Sequence, residues 1–223
     1  MLFRVLTIFP EMITGYMNAG VLGRAIKKKI IKLEAHDIRK WTADKHNTVD
    51  DTPYGGGAGM LMKVEPIYKA LKSLKKVKNT KVILLSAKGK TWNQRLAKKY
   101  AASASSLVFI CGRYEGIDER IMEFVDEEIS VGDYVLTGGE LGALIVMDSM
   151  ARLIPGVLGN NESIVSESHS EPGLLEYPQY TKPEIVRLGK KSYRVPKVLL
   201  SGNHAEIKRW RISKTKTSKK ARQ

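Results

Sequence analysis

The sequence has only one cysteine, Cys111, and no apolar run approaching the roughly 18 residues that a membrane-spanning helix needs. A single cysteine excludes an internal disulfide and a cysteine-based zinc cluster. The four histidines, at 36, 46, 169 and 204, do not have metal-ligand spacings, so no structural metal site is predicted. The first residues lack the basic-then-apolar pattern of a secretory leader. We therefore expect a cytoplasmic protein that does not bind membranes.

Acidic side chains are scarce at both ends of the chain, and basic ones are scarce in its middle. Residues 1–114 hold 22 basic and 7 acidic side chains, residues 115–180 hold 2 and 14, and residues 182–223 hold 14 and 2. An acidic middle between two basic arms is typical of a catalytic segment flanked by phosphate-binding surfaces, so we predict a nucleic-acid partner. The basic stretches also lack the apolar face that a membrane-surface helix needs.

Strand and helix patterns alternate through the first 158 residues. Pro10 and Glu11 open the first helix, where proline is favoured at the first helical position. Such alternation favours an α/β domain whose mostly parallel sheet is covered by helices. The predicted strands are 2–9, 31–38, 81–86, 106–111 and 127–131, and the later predicted helices are 65–76, 92–102, 117–125 and 140–153.

The alternating pattern ends after Pro155 in a stretch rich in glycine, asparagine and serine. We interpret residues 159–172 as a flexible linker between a domain at 1–158 and a small, mostly helical domain at 173–223. Ser201 or Asn203 is the expected cap of a helix over 205–212. Residues 213–223, which have no apolar periodicity, are expected to form a flexible basic tail.

Two common nucleotide motifs fail on spacing. Gly89-Lys90-Thr91 resembles the end of a P-loop, but the earlier glycine that this motif requires would be at Leu84. The run at 55–59 misses the dinucleotide fingerprint, because its third glycine would be at Met60 and no strand immediately precedes it. A nicotinamide or flavin cofactor is therefore not expected.

Three other glycine-bearing loops each follow a predicted strand, at 85–89, 111–116 and 131–140. Open α/β sheets bind ligands at the carboxyl ends of their strands, and glycine allows close approach of the backbone to a ligand. Each loop alone fits an ordinary tight turn, but three in consecutive units favour a shared site. Buried Val135 and Leu136 are expected to sandwich an adenine there.

Six segments, matching in order and spacing over nearly the whole chain, resemble the bacterial tRNA (guanine-N1)-methyltransferases of the TrmD family. They are VDDTPYGGGAGMLM (49–62), CGRYEGIDERI (111–121), SVGDYVLTGGE (130–140), ARLIPGVLG (151–159), GLLEYPQYTKP (173–183) and LLSGNHAEIKRWR (199–211). The resemblance implies methylation of guanine N1 at tRNA position 37, beside the anticodon, with S-adenosylmethionine as methyl donor. It also implies a SPOUT-type α/β fold with a deep trefoil knot, and a homodimer that shares its active site between subunits.

The family's cofactor loops match positions in all three glycine-bearing loops of this chain. The cofactor-binding residues that the resemblance implies are Leu84, Leu85, Ser86, Gly112, Tyr114, Glu115, Gly116, Val131, Gly132, Asp133, Tyr134, Val135, Leu136, Gly138 and Gly139. The resemblance further implies that Glu115 positions the methionine end of the cofactor or a Mg²⁺ ion. Without the resemblance, Glu115 would be predicted to be a surface carboxylate.

The chemistry requires a base and a positive group, because neutral guanine carries a proton on N1 and gathers charge on O6 as that proton leaves. Arg152 matches the family's catalytic arginine, whereas an arginine at a helix end is otherwise a common capping residue. Asp50 lies in the glycine-rich loop that the family places near the target base, and a turn-stabilising role fits it equally well.

Two departures from the family pattern concern the base and the tRNA contacts. Ser168 stands where the family has an aspartate, so either a neighbouring carboxylate substitutes or the cofactor site and solvent manage the deprotonation. We predict that Glu167 is the general base, with Glu171 as the alternative. The family's C-terminal domain normally continues well past the RWR segment, whereas this chain ends soon after in a lysine-rich tail, so we expect a partly reorganised tRNA contact. The residues predicted to contact tRNA phosphates are Lys208, Arg209 and Arg211, together with the tail lysines.

Two alternatives remain at this point. A non-catalytic RNA-binding protein would explain the basic arms without a cofactor, and it would fail to bind S-adenosylmethionine. A sister SPOUT enzyme that methylates the ribose 2′-hydroxyl would share the fold and cofactor, and it would differ in the position of the methyl group.

Overall fold

The computed structural model describes residues 1–159, 167–171 and 173–217. The chain divides into two compact units, Met1–Gly159 and Asn160–Gln223. Most of the linker predicted at 159–172 and the end of the predicted tail, 218–223, lie outside the described residues.

The first unit is a five-stranded sheet with helices, and its strand order is β2-β1-β6-β5-β7. Every pairing in this sheet is parallel. The strands are β1 (Leu2–Thr7), β2 (Lys32–Asp37), β5 (Thr80–Thr91), β6 (Ser106–Cys111) and β7 (Glu127–Ser130), and the short pair β3 (Asp50–Asp51) and β4 (Leu61–Met62) lies apart. The α/β prediction and its mostly parallel sheet are confirmed.

The helices of this unit are α1 (Pro10–Met17), α2 (Gly20–Lys27), α3 (Val64–Ser73), α4 (Gln94–Ser103) and α5 (Glu140–Ala151). Four of them, α1, α3, α4 and α5, lie close to the predicted positions, whereas α2 was not predicted. Asn93 caps α4 by accepting a hydrogen bond from the Leu96 amide at 3.1 Å. The segment predicted as a helix over 117–125 is instead a 3₁₀ helix over Glu119–Phe124.

The core lies on both faces of the sheet. The strand β6 is buried along its whole length, because β1 and β5 cover its edges and helices cover its faces. Such central strands read as continuous apolar runs, as the segment LVFIC does. This buried strand fixes the position of the loop that follows it.

The strand β5 differs from its prediction. It continues to Thr91, and the stretch predicted as a loop at 85–89 is an irregularity within it, between the pairings of Leu85 and Lys90 with Ile129 of β7. A side chain at Gly89 would collide with the Ile129 backbone, its Cβ coming within 2.5 Å of the amide nitrogen, so glycine permits this close approach.

The second unit is mixed, which corrects the prediction of a mostly helical domain. Its antiparallel hairpin consists of β9 (Ile185–Leu188) and β10 (Lys191–Arg194), followed by a 3₁₀ helix at Lys197–Leu200 and by α6 (His204–Lys214). Asn203 caps α6 through the amides of Ala205 and Glu206, as expected. The strand β11 (Lys216–Thr217) pairs with β8 (Leu174–Leu175), so the predicted flexible tail cannot begin before residue 218.

Candidate active site

A cavity of about 490 Å³ lies where β5, β6 and β7 meet their following segments. Its walls include residues from all three glycine-bearing stretches that the sequence singles out. The predicted cofactor residues on the cavity wall are Leu84, Leu85, Ser86, Gly112, Tyr114, Glu115, Gly116, Val131, Gly132, Tyr134, Val135, Leu136, Gly138 and Gly139. The structure thus brings three separate segments of the sequence to one site.

The loop at 131–139 differs in detail from the expectation. Asp133 is exposed and lies off the cavity wall. Val135 is 90% exposed and Leu136 is only partly buried, so the expected buried pair does not exist in this structure. An apolar side chain this exposed on a cavity wall is available to cover a ligand.

Close backbone packing joins two of the loops. The Gly139 amide donates a hydrogen bond to the Gly112 carbonyl at 2.9 Å. A Cβ at Gly139 would lie 2.8 Å from the Cα of Cys111 and 3.1 Å from the Cβ of Leu85. Glycine is therefore required at 139 for packing of the protein itself, and a larger residue there would disturb β6 as well as the cavity.

A buried ion pair between Glu140 and Arg113, which also lines the cavity, joins the same loops. Glu140, the first residue of α5, is fully buried and accepts hydrogen bonds from Arg113 Nε at 3.0 Å and from the Thr7 hydroxyl at 2.6 Å. Arg113 also donates to the Thr137 carbonyl at 3.3 Å, and its guanidinium lies 4.6 Å from the centre of the Phe9 ring. These contacts connect the end of β1, the loop after β6 and the start of α5.

Sequence reasoning did not assign a role to this ion pair. A signal for Glu140 exists, since it directly precedes the apolar run that forms α5, and a buried carboxylate needs a charged or hydrogen-bonding partner. Its partners are 27 and 133 residues away along the chain, so no local pattern identifies them.

The glycine-rich segment that contains β3 and β4 is hydrogen-bonded to the loop at 112–116 and contributes Leu61 to the cavity wall. The Glu115 amide donates to the Met60 carbonyl at 3.0 Å, and the Met62 amide donates to the Gly116 carbonyl at 2.9 Å. Tyr114 has a positive φ of 59°, which is uncommon for a residue with a side chain. Partial burial and the neighbouring Asp50 carboxylate raise the pKa of the Tyr114 hydroxyl. Asp50, predicted near the substrate, is thus adjacent to a cavity residue.

Arg152 lies away from the cavity end of α5. Gly139 and Gly142 line the cavity at the start of this helix, and Arg152 follows its last residue. At about 1.5 Å per residue, Arg152 is roughly 18 Å along the helix axis from residue 140. A single subunit therefore does not place Arg152 beside this cavity by way of α5.

An exposed apolar surface runs across α1 and α5. Met12 and Tyr16 on α1 and Leu141 and Ile145 on α5 expose 37 to 49% of their surfaces. The Tyr16 hydroxyl donates to Asp148 at 2.6 Å, which fixes the two helices side by side. Large apolar groups clustered in this way are typical of a surface that contacts another protein.

The predicted general base lies in the second unit, in a turn at 167–170. The Ser168 hydroxyl accepts a hydrogen bond from the Glu176 amide at 3.0 Å, which gives this serine a structural role. Glu167 is partly buried, whereas Glu171 is exposed. Lys208, Arg209 and Arg211 all lie on α6.

Among the described residues, no group of three or more histidine, cysteine or acidic side chains is arranged to hold a metal ion. No helix in the described part of the chain is long and apolar enough to cross a bilayer.

Comparison with known proteins extends these observations. The family model described as tRNA (Guanine-1)-methyltransferase TrmD matches residues 1–223. The chain is 54% identical over 211 residues to the tRNA (guanine-N(1)-)-methyltransferase of Clostridium botulinum strain Hall, covering 95% of this chain and 85% of that protein. It is 51% identical over 218 residues to the protein of the same name from Clostridium novyi strain NT, covering 98% and 88%. It is 50% identical over 225 residues to the one from Clostridium tetani strain Massachusetts, covering 100% and 91%. The chain therefore belongs to the tRNA (guanine-1)-methyltransferase TrmD family.

Proposed function

We propose that this protein transfers a methyl group from S-adenosylmethionine to N1 of guanine 37 of tRNA, beside the anticodon. The observation that carries the proposal is the glycine-lined cavity, formed by the family's motif segments in a chain of this family. The substrate also makes the cytoplasm the expected location of the reaction.

The cavity fits the cofactor in size and chemistry. Its volume of about 490 Å³ is within the roughly 300–1,000 Å³ typical of small-molecule sites. Gly112 and Gly138 place no side chain between the backbone and the edge of an adenine, and Val135 and Tyr134 have apolar surface with which to cover it. When bound, S-adenosylmethionine supplies a methyl group that its sulfonium activates.

Guanine needs two groups from the protein. Arg152 stabilises the negative charge that develops on O6 when N1 loses its proton, because a guanidinium is charged at any working pH and donates several hydrogen bonds. Glu167 accepts the N1 proton, since a carboxylate is a far stronger base than the neighbouring Ser168 hydroxyl. Glu167 directly precedes Ser168, the position of the family's aspartate, whereas Glu171 is three residues beyond it, so Glu167 is favoured for this role.

A homodimer brings Arg152 to the cavity of its partner. Two observations support this arrangement: Arg152 lies at the far end of α5 from its own cavity, and the exposed apolar surface of α1 and α5 adjoins that helix. A two-fold axis through this surface pairs it with itself, which is the usual geometry of a dimer.

We also propose the trefoil knot. After β7 at the edge of the sheet, the chain returns past β5 so that Gly139 bonds to Gly112 at the end of β6. A knot requires such a return and also passage of the returning segment through a loop, and that passage is part of the proposal.

Mg²⁺ is a further proposed component, with Glu115 as its protein ligand. The described residues contain no complete metal cage, but Mg²⁺ characteristically keeps several waters and binds through one or two carboxylates. Glu115 is a carboxylate on the cavity wall and fits that requirement.

The test is methylation of a tRNA transcript that carries guanine at position 37, with nuclease digests read by mass spectrometry. We expect 1-methylguanosine at that position only. A methyl group on a ribose 2′-hydroxyl would establish the sister activity instead. If calorimetry detects no binding of S-adenosylmethionine or of its demethylated product, the protein is an RNA-binding protein without this catalysis.

A further inference from the structure

The second unit contains a separate pocket of about 260 Å³ that combines aromatic and basic side chains. Tyr177, Tyr180 and Trp210 supply aromatic surface, and Lys182 and Arg211 supply positive charge. Glu184 also lines the pocket, and its carboxylate forms an ion pair with Arg194 at 3.8 Å. The proposed chemistry on guanine 37 uses none of these groups.

The geometry of the pocket is that of a stacking surface. The guanidinium carbon of Arg211 lies 5.0 Å from the centre of the Tyr177 ring, and the rings of Tyr180 and Trp210 are 6.4 Å apart. Arg211 is thereby held as a planar cation over an aromatic face.

The pocket is not a sealed core. None of the described residues from 167 to 216 is buried, and Tyr180 exposes 49% of its surface. A core formed by these aromatic side chains would bury them, so they retain apolar surface that a ligand can cover.

On α6, Arg211 lies on the side that faces the pocket, whereas its basic neighbour Arg209 does not. Ile207, Trp210 and Arg211 line the pocket from positions spaced i, i+3 and i+4, which share one face of a helix. Arg209 lies roughly 160° around the helix axis from Arg211, at about 100° per residue, and is not on the pocket wall. The sequence alone predicts a phosphate contact for both Arg209 and Arg211.

We propose that this pocket binds one unpaired nucleobase of the tRNA, stacked against Tyr180 and the Arg211–Tyr177 pair. This inference rests on the proposed tRNA substrate. Proteins recognise unpaired bases by stacking them on aromatic rings and guanidinium planes. Residues 182–223 hold 14 basic and 2 acidic side chains, so the surroundings attract a polyanion in preference to a protein segment of mixed charge. The pocket is smaller than typical drug-sized sites and suits a single base.

The test compares matched variants of the full chain in equilibrium binding to the tRNA transcript at several KCl concentrations. Tyr180→Leu removes a stacking ring, and Tyr193→Leu is its control, because Tyr193 is 55% exposed in the same unit and lies outside the pocket. We expect a loss of about 5- to 100-fold in affinity for Tyr180→Leu, the usual range for one stacked base, and less than about 2-fold for Tyr193→Leu.

A second pair of variants replaces an arginine by lysine and so keeps the positive charge constant. Arg211→Lys preserves the positive charge and loses the planar stacking group, while Arg209→Lys measures the cost of the same exchange at a phosphate contact. We expect Arg211→Lys to weaken binding at least about 5-fold more than Arg209→Lys, with the salt dependence of both unchanged. Both arginines are exposed, so this pair is informative even if Tyr180→Leu disturbs folding.

Equal affinities within both pairs, in a protein that methylates tRNA, would overturn the pocket and leave the proposed function standing. Altered self-association of Tyr180→Leu with unchanged tRNA affinity would make the pocket a protein contact and also overturn the proposal. A wild-type protein that transfers no methyl group to tRNA would instead refute the proposed function. Binding of S-adenosylmethionine is measured alongside, and we expect it to be unchanged in all four variants.

Discussion

The ion pair of Arg113 and Glu140 allows a quantitative prediction. Glu140→Gln keeps the shape of the side chain and removes its charge, leaving Arg113 without a carboxylate in a position where its side chain is only 17% exposed. Two unit charges about 4 Å apart attract by about 4 kcal/mol at an effective dielectric constant of 20. Breaking a buried pair from one side usually costs about 3–5 kcal/mol, because the remaining charge stays desolvated.

Arg113 keeps its other contacts when the charge of Glu140 is removed. Its guanidinium still lies over the Phe9 ring, and it still donates to the Thr137 carbonyl. These contacts offset part of the loss, so we expect the free energy of unfolding to fall by about 2–4 kcal/mol. Affinity for S-adenosylmethionine should fall on the order of 10-fold, because the loop that contains Thr137 must then be ordered during binding.

Denaturant unfolding followed by circular dichroism, with calorimetry of cofactor binding, measures both effects. The matched variants are Arg113→Met alone and Arg113→Met combined with Glu140→Gln. Together with the Glu140→Gln variant they form a double-mutant cycle that gives the coupling energy of the pair. We expect the double variant to be more stable than the sum of the single losses implies, by at least about 1 kcal/mol. Additive losses, or a Glu140→Gln protein as stable as wild type, would refute the structural role assigned to this pair.

Three further predictions concern the base, the cysteine and the tail. Glu167→Gln should lower single-turnover methyl transfer about 10²-fold or more with cofactor and tRNA binding nearly intact; a wild-type rate would exclude Glu167 as the base, and a rate gain in Ser168→Asp would show that the chain has lost its usual base. Burial raises the pKa of the Cys111 thiol, so Ellman's reagent should find no reactive thiol in the native protein at pH 8 and one after denaturation, and stability should decline above the pH at which ordinary thiols ionise; rapid native reaction would contradict its burial. Truncation after Thr217 removes three basic residues and should reduce the slope of tRNA affinity against salt by up to about 3, whereas an unchanged slope would show that these residues do not contact phosphate.

The five sheet strands and four of the helices in the first unit were predictable because they follow from local patterns, whereas α2 and the short pair β3–β4 were not predicted. The buried strand β6 reads as the continuous apolar run LVFIC, and Pro10 and Asn93 stand at helix starts. Glycine-bearing loops after such strands predict a shared ligand site, since carboxyl ends of parallel strands meet at one edge of a sheet. The second unit was harder, because its hairpin strands have only four residues each and all eight are exposed, which leaves no clear alternation of buried and exposed positions.

What the sequence by itself determined was therefore the fold class, the family motifs and most of the cavity wall. Tertiary structure decided the contacts between segments distant in the chain: Glu140 with Thr7 across 133 residues, Gly139 against the Cα of Cys111, and Arg211 turned onto Tyr177 while Arg209 faces the other side of α6. Propensity and periodicity depend on neighbours within a few residues, whereas these contacts depend on how separate elements pack. For that reason a motif located the cavity, but only the packed structure showed which charges hold its loops in place.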